Sequence, residues 1–450
     1  MSKSFRIRRG TDIRLVGEAS QNVADAPRGA VYAVQPTDFH GLVPKLVIKE
    51  GATVQAGSPL FYDKYNDRVQ FTSPVSGTVK AIVRGAKRRI LEVQIEADGQ
   101  DTFHKHNAPG ATGSRDAVME ALLASGMWPC IQQRPFSVVA NPADTPKAIF
   151  VSGFDSAPLA PDPDFVMQGR EADFQNGMKA LVTLAAGKPV HLGVRKGSSF
   201  YTPQDGVTIN TFEGPHPAGN IGVQIHRISP INKGELVWTV RPQDVANIGR
   251  FLETGEARFD RTFAIAGSKA SNAQYLKGRA GQPLQSVASH IEADNARVIS
   301  GDALSGTQTT LDGYLGFYDH LVTALPEGHE PQFFLTDGWL SPGLSKFSLS
   351  RAFPTWLLPK SKKFDLNTNM NGEPRAFVVT GQYDAVFPFD IYPVQLVKAI
   401  MVNDIDAMEK LGIYEIAPED FALCEYACTS KIEVQRIVRE GLDVVQEECA

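Results

Sequence analysis

The chain has 450 residues, is 42% hydrophobic and 21% charged, and carries a formal net charge of −5. That length suits three or four domains rather than one, and the acidic balance excludes a general nucleic-acid binder, whose phosphate contacts need a basic surface. No window approaches the ~18 uninterrupted apolar residues of a membrane span. Residues 1–10 lack the apolar centre of a signal peptide. The four cysteines, Cys130, Cys424, Cys428 and Cys449, are too sparse for a disulfide scaffold. These features lead us to expect a cytoplasmic protein that meets a membrane, if at all, from the side.

Residues 1–105 read as β-rich. Phe5-Arg-Ile-Arg-Arg predicts a first strand. The stretch 46–83 then holds two short β patterns broken by glycine turns at Glu50-Gly51, Gly57 and Ser73-Pro-Val-Ser-Gly77. Val47, Val54, Leu60, Val69, Phe71, Val75, Val79 and Ile82 supply the expected core. Paired hairpins of this type build the flattened sandwich of lipoyl and biotinyl carriers. Arginines 6, 8, 9 and 14 and the run Arg84, Lys87, Arg88, Arg89 read as solvated strand and turn surface, with a partner or anionic-lipid contact as the alternative.

A linker with His104 and His106 leads to a helix over 117–126 that ends in glycine. Ala148–Gly153 predicts a buried strand, 168–186 a helix with Phe174, Met178, Leu181, Val182 and Ala185 on one face, and 189–194 the next strand. That order implies a right-handed parallel crossover. A further strand, 207–212, runs into the Pro/Gly loop Glu213-Gly-Pro-His-Pro-Ala-Gly-Asn220. A short helix at 221–228, a strand at 235–240 and a helix from Pro242 close the unit near 255. Strands at 262–266 and 296–300 and an aromatic hairpin over 310–324 suggest a small β-grasp unit. Residues 326–385 are loop-rich, with Trp339, Phe347, Phe353 and Trp356. Helices follow over 394–411, 418–427 and 431–448, the last with a capping box between Ser430 and Glu433.

The motifs for chemistry are few. Lys64 sits near the turn where a carrier domain presents its modified lysine, but it lies far from Pro74 and has no flanking methionine; the bland reading is a lysine on a hairpin tip. The loop Ser152-Gly-Phe-Asp-Ser-Ala-Pro-Leu159 lacks the glycines that let backbone N–H groups approach a phosphate, and holds bulky Phe154 with Asp155 and Asp162 nearby. Cys424 and Cys428 share a helix face, yet an Fe–S cluster needs four thiolates, so they read as buried, inert thiols. Neither His104/His106 nor His216/His226 has metal-site spacing. We assign no catalytic and no metal-ligating residue, and leave cofactor-binding residues open.

Taken together, Phe5-x-Ile-x-Arg, 45–64 with Ser73-Pro-Val-Ser-Gly-Thr-Val-Lys80, Ile149-Phe-Val-Ser-Gly-Phe-Asp-Ser-Ala-Pro-Leu159, the His216-Pro-Ala-Gly-Asn220 loop and Asp420-Phe-Ala-Leu-Cys-Glu-Tyr-Ala-Cys-Thr-Ser430 carry a resemblance over essentially the whole chain. The chain resembles the A subunit of the bacterial Na⁺-translocating NADH:quinone reductase. The resemblance implies a multidomain α/β fold. Its parts are an N-terminal lipoyl-like barrel-sandwich hybrid (1–105), a Rossmann-like layer (106–255), a β-grasp, SLBB-like unit (256–330), and a loop-rich segment with a C-terminal helical bundle (331–450). It implies a peripheral subunit on the cytoplasmic side of the bacterial inner membrane, within a six-subunit complex that oxidises NADH, reduces quinone and exports Na⁺. The membrane-embedded B subunit is the expected partner.

The family is similar to the NADH-binding flavoprotein subunit of respiratory complex I and to the C subunit of the Rnf complex, which keeps Fe–S cysteine runs. This chain departs from both at Gly153–Pro158 and at Cys424/Cys428. It is therefore expected to hold neither flavin nor Fe–S, to leave NADH and Na⁺ to the complex, and to assist quinone reduction, with a quinone as the ligand left open. The alternatives are a stand-alone NADH- or flavin-binding dehydrogenase module, a lipoyl-type carrier, and a β-grasp module for a small ligand. The aromatic loops Trp339–Trp356 and Phe387–Tyr392 are expected either to face a partner or to fill their own cores.

Overall fold

Period-two alternation between residues 31 and 97 closes a small sandwich. The computed structural model describes residues 2–329, 332–333, 335, 338, 340–349 and 351–449. Among these, a four-stranded sheet (Val31–Val34, Ile90–Ala97, Gly77–Arg84, Thr53–Val54) faces a three-stranded one (Pro44–Leu46, Pro59–Asp63, Asn66–Thr72). Val54, Leu60, Val69, Phe71, Val75 and Val79 are buried between them, and Ile82 is half-buried. Val47 is a correction: it is 50% exposed. Leu46 and Ile48 pack on the core, so the residue between them points outward.

The predicted first strand exists, but it belongs elsewhere. Ser4–Arg6 runs parallel to Val207–Glu213 at the edge of the α/β sheet, with Phe5 stacked on Phe212 at 5.0 Å. Ser20–Asp25 runs parallel to Gln274–Arg279 in a third sheet. The first 25 residues thus tie the later units together before the sandwich begins.

The α/β sheet has seven strands. Ile149–Gly153, Val190–Arg195, Val207–Glu213 and Val237–Val240 are parallel, and Ile131–Arg134 with Val138–Val139 forms an antiparallel edge. Alternation sorts the faces. Ile149 and Val151 join the core that includes helices Arg115–Ser125, Glu171–Leu184 and Pro242–Thr254, whereas Ala148 and Phe150 pack with Ile225 of helix Ile221–Ile228. Helices Glu171–Leu184 and Pro242–Thr254 touch backbone to backbone. A Cβ on Gly177 would lie 1.9 Å from the Val245 carbonyl oxygen, and one on Gly249 equally close to that of Asp173.

The third sheet orders Thr307–Thr309, Ala296–Ser300, Leu321–Pro326, Asp260–Ala266, Gln274–Arg279 and Ser20–Asp25. The expected hairpin over 310–324 does not form. Leu321–Pro326 pairs with Ala296–Ser300 and Asp260–Ala266 instead. The aromatics before it serve as glue between units. Phe39 of the sandwich packs on Phe317 and Tyr318 at 4.9 and 5.6 Å, and the Tyr318 hydroxyl donates to the Pro129 carbonyl at 2.6 Å.

Asp38 sits in this seam, accepting from Phe317 N at 2.8 Å. Burial, with the Asp319 charge adding and the Phe317 hydrogen bond opposing, pushes its carboxyl up to about 7. The folded state therefore holds this proton more tightly than the unfolded chain, and its contribution to stability is lost as pH rises from the ordinary carboxylate range toward 7. Asp38→Asn is expected to flatten that decline. Thermal melts at pH 5 and pH 8 check this: the variant gains stability over the parent at pH 8 and much less at pH 5.

The C-terminal part departs from the expected helices in two places. The reading 394–411 is two helices, Pro393–Met401 and Ile405–Lys410, broken at Asn403, whose φ is 56°, with Asp404 capping the second by accepting from Ala407 N. The Ser430/Glu433 capping box is not made. Ser430 donates to the Ala376 carbonyl, and Glu425 instead accepts from Gln435 N at 2.8 Å at the start of helix Val434–Cys449.

Candidate functional site

The strand Ile149–Gly153 sits at a topological switch point. The chain leaves it for Val190–Arg195 on one side and returns on the other as Val237–Val240. In open α/β sheets ligands bind at the carboxyl ends of such strands, and a cavity of about 280 Å³ opens there. Its walls come from three parts of the chain: Ser152, Phe154, Thr239 and Val240 of the α/β unit, Arg261, His320 and Leu321 after it, and Glu419 and Ala422 from the C-terminal part.

The place where a pyrophosphate would enter is filled by the chain itself. Phe154 is buried. The loop 154–156 presses on the Pro/Gly loop so closely that a Cβ on Gly219 would lie 2.6 Å from Ser156 N and 2.8 Å from the Phe154 carbonyl oxygen. Gln224 Nε2 donates to the Ser152 hydroxyl at 2.7 Å and fixes the turn. The helix that follows, Pro163–Val166, is a single turn capped by Asp162. A dinucleotide does not fit this loop.

Two buried polar atoms of wall residues lack partners among the described residues. Arg261, whose side chain is 1% exposed, donates through Nη2 to Asp244 at 3.0 Å and to the Phe317 carbonyl at 2.8 Å, while its Nε has no partner among the described residues. The buried Ser137 hydroxyl, also on the wall, is likewise unpartnered among them. On the wall His320 Nε2 lies 2.9 Å from Asp155. Burial drives the Asp155 carboxyl up, but the hydrogen bond and charge of His320 win and hold it below the ordinary range. His216 Nδ1 is 3.1 Å from the Ser156 hydroxyl, and burial lowers its pKa against the pull of Asp302 and Asp155. Arg241 lies 4.7 Å above the Tyr318 ring. The site thus pairs an apolar floor of Phe154, Val240 and Leu321 with a polar wall that includes Thr239, Arg241 and His320.

The residues singled out from sequence fall in different places. Lys64 is exposed on the tip between Pro59–Asp63 and Asn66–Thr72, with its ammonium 5.5 Å from the Tyr65 ring. His104 and His106 meet edge to face at 4.6 Å beside Gly57. His226 is held between Glu415 and Asp390 N. Asp155 and His216 reach the cavity; Asp162 serves as a helix cap. Phe387 and Phe389 are buried, Tyr392 and Trp356 are exposed, and Trp339 lies outside the described residues. Sequence reasoning missed Arg261 and Ser137. The signal for Arg261 was a charge heading the apolar strand Asp260–Ala266.

Cys130, Cys424 and Cys428 are buried, and burial drives the Cys130 and Cys424 thiols well up. Among the described residues no three His, Cys, Asp or Glu side chains are placed to hold a metal. Cys449 is exposed. Alkylation of the native chain, read by mass, is expected to modify Cys449 alone within the time that unfolded chain takes up four labels.

Three family models match the chain: the NqrA N-terminal barrel-sandwich hybrid domain over residues 5–98, the NqrA second alpha/beta domain over 113–257, and the NQRA C-terminal (SLBB) domain over 262–310. The A subunit of the Na(+)-translocating NADH-quinone reductase from a Marinomonas species is 36% identical over 449 residues, spanning 99% of this chain and all of that protein. This chain belongs to the family of Na(+)-translocating NADH-quinone reductase A subunits. The Pseudomonas aeruginosa and Hahella chejuensis members are 37% and 35% identical over the same share of the chain. The architecture expected from sequence is the family's: barrel-sandwich hybrid, α/β domain, SLBB domain and C-terminal helices. Membership also places the filled loop and the cavity in one component of an oxidoreductase complex. No helix among the described residues is long and apolar enough to cross a membrane.

Proposed function

We propose that this chain acts as the peripheral A subunit of a Na⁺-translocating NADH:quinone reductase. It docks on the membrane subunits, the B subunit first among them, at the cytoplasmic face of the bacterial inner membrane, and serves the quinone-reducing end without a flavin or Fe–S centre of its own. Units 1–105, 106–255, 256–330 and 331–450 are its working parts, with the first two strands lent to the later sheets. In this reading the cavity receives a quinone head. Its ring lies on Phe154, Val240 and Leu321, and its carbonyl oxygens meet the polar side chains of the wall, Arg241 and His320 among them. Electrons arrive from other subunits, and this chain binds and orients the acceptor.

The observation that carries the reading is a cavity at the switch point that combines apolar Phe154, Val240 and Leu321 with the polar side chains of Thr239, Arg241 and His320, beside a phosphate entry that is filled. A neutral dicarbonyl ring suits that mixed lining, whereas a pyrophosphate has no loop to bind. Ala157 lines the cavity and is only half-buried, so Ala157→Trp fills the space with little cost to the core. In the assembled complex this variant is expected to lower kcat/KM for quinone by about tenfold or more, the effect of ~1.4 kcal/mol or more of lost binding. NADH oxidation by an artificial acceptor stays as in the parent. Equal quinone kinetics in parent and variant would remove the cavity from the reaction. Crosslinking mass spectrometry on native membranes tests the docking: links to the B subunit are expected, and a chain linked only to soluble proteins contradicts it.

A further inference from the structure

The stretch 338–364 contains no Asp or Glu but has Lys346, Arg351, Lys360, Lys362 and Lys363, in a chain whose net charge is −5. Its described residues form a closed lobe. Lys346 N donates to the Gly343 carbonyl at 2.9 Å, and the buried Thr355 hydroxyl donates to the Lys346 carbonyl at 2.6 Å. Gly343 packs so tightly on Phe353 that a Cβ would meet its ring at 2.0 Å. At the base, Phe364 is bridged to Leu15 and its ring packs on Phe347 at 5.5 Å. With its inner face thus held, the lobe turns Leu340, Leu344, Trp356 and Leu357 to solvent at 50%, 65%, 52% and 67% exposure. Arg351 lies 5.2 Å from the Trp356 ring, and Lys360 and Lys362 are exposed without an ion-pair partner among the described residues.

We propose that this lobe binds the surface of an anionic bilayer, with the Trp356 and Leu357 side chains entering the headgroup region and Lys360, Lys362 and Arg351 on lipid phosphates. The inference is independent of the cavity. Exposed Trp and Leu beside basic side chains is the composition of an interfacial anchor. Residues 68–91 are also basic and free of Asp and Glu but expose no large apolar side chain, so the lobe is where charge attraction and apolar insertion act together, even with Lys363 paired to Glu18. A buried protein-protein contact would instead be depleted of lysine at its centre.

The test is flotation of the purified full-length chain with phosphatidylcholine vesicles, with and without phosphatidylglycerol. Binding to the phosphatidylglycerol vesicles is expected, weakened by salt. Trp356→Ser with Leu357→Ser should lower it by about tenfold, from the apolar area lost. Lys360→Glu with Lys362→Glu should lower it by more than about tenfold, at about fivefold per basic side chain near an anionic surface. All four residues are exposed, so melting temperature is the folding control and should not move. Equal binding to both vesicle types, no binding to either, or variants that bind like the parent overturns the proposal. Binding confined to membranes that hold the other subunits overturns it too and assigns the lobe to a protein partner.

Discussion

Arg134→Met is expected to cost about 3–5 kcal/mol, the penalty for stranding a buried charge. The Arg134 side chain is 4% exposed and its Nη1 lies 2.8 Å from Oδ2 of Asp420, which is fully buried. Glu419 takes the other guanidinium nitrogen. The pair joins the strand Ile131–Arg134 to the C-terminal helices, and Gly222 sits against it so closely that a Cβ would lie 2.3 Å from Asp420 Oδ1. Without the guanidinium, the buried Asp420 carboxylate loses its cation and is left beside the partly exposed Glu419. Burial raises the Asp420 carboxyl, with the Arg134 charge opposing, so the orphaned carboxyl takes up a proton at low pH. The loss is therefore larger at pH 8 than at pH 5. Hydrogen exchange should show the helices Ala422–Ala427 and Val434–Cys449 losing protection first. The double variant Arg134→Met, Asp420→Leu should recover part of the loss. A single variant as stable as the parent would show that the bridge holds nothing together.

Gly177→Ala is expected to reverse a rule. In an exposed helix the change adds about 1 kcal/mol. Here the new methyl meets the Val245 carbonyl oxygen at 1.9 Å, and a backbone oxygen cannot swing aside. Helices Glu171–Leu184 and Pro242–Thr254 must part, at a cost of about 3 kcal/mol. The second helix also carries Asp244, which holds Arg261 on the cavity wall. Quinone affinity should therefore fall along with stability, as denaturant unfolding and ligand titration of the same preparation can check. A stabilised variant would contradict the close helix crossing.

The local rules were legible in the sequence where one segment decides its own structure. The helix Arg115–Ser125 stops at Gly126 in the left-handed region, and the strand Ile149–Gly153 lies where its apolar run placed it. What was not legible depends on pairing between distant segments. Phe5 reads as a strand, but nothing local says that it stacks on Phe212. The aromatics at 314–318 read as a hairpin because their partners, Phe39 and Pro129, are far off in the chain. Ser430 and Glu433 fit the capping spacing, yet Glu425 already occupied the helix start. The cavity was hidden for the same reason: Asp155, Arg261 and Glu419 line one space only after three units have folded together, and each alone is an ordinary polar residue. The filled loop at Gly153–Pro158 was legible, since bulky Phe154 stands where backbone must approach a phosphate.

Equilibrium titration of the purified chain with a short-chain quinone, FMN and NADH, each alone, decides between an acceptor cavity and a nucleotide site. Saturable one-to-one quinone binding that Ala157→Trp abolishes is predicted, with neither nucleotide retained. Stoichiometric FMN or NADH on the chain, with quinone excluded, would contradict it.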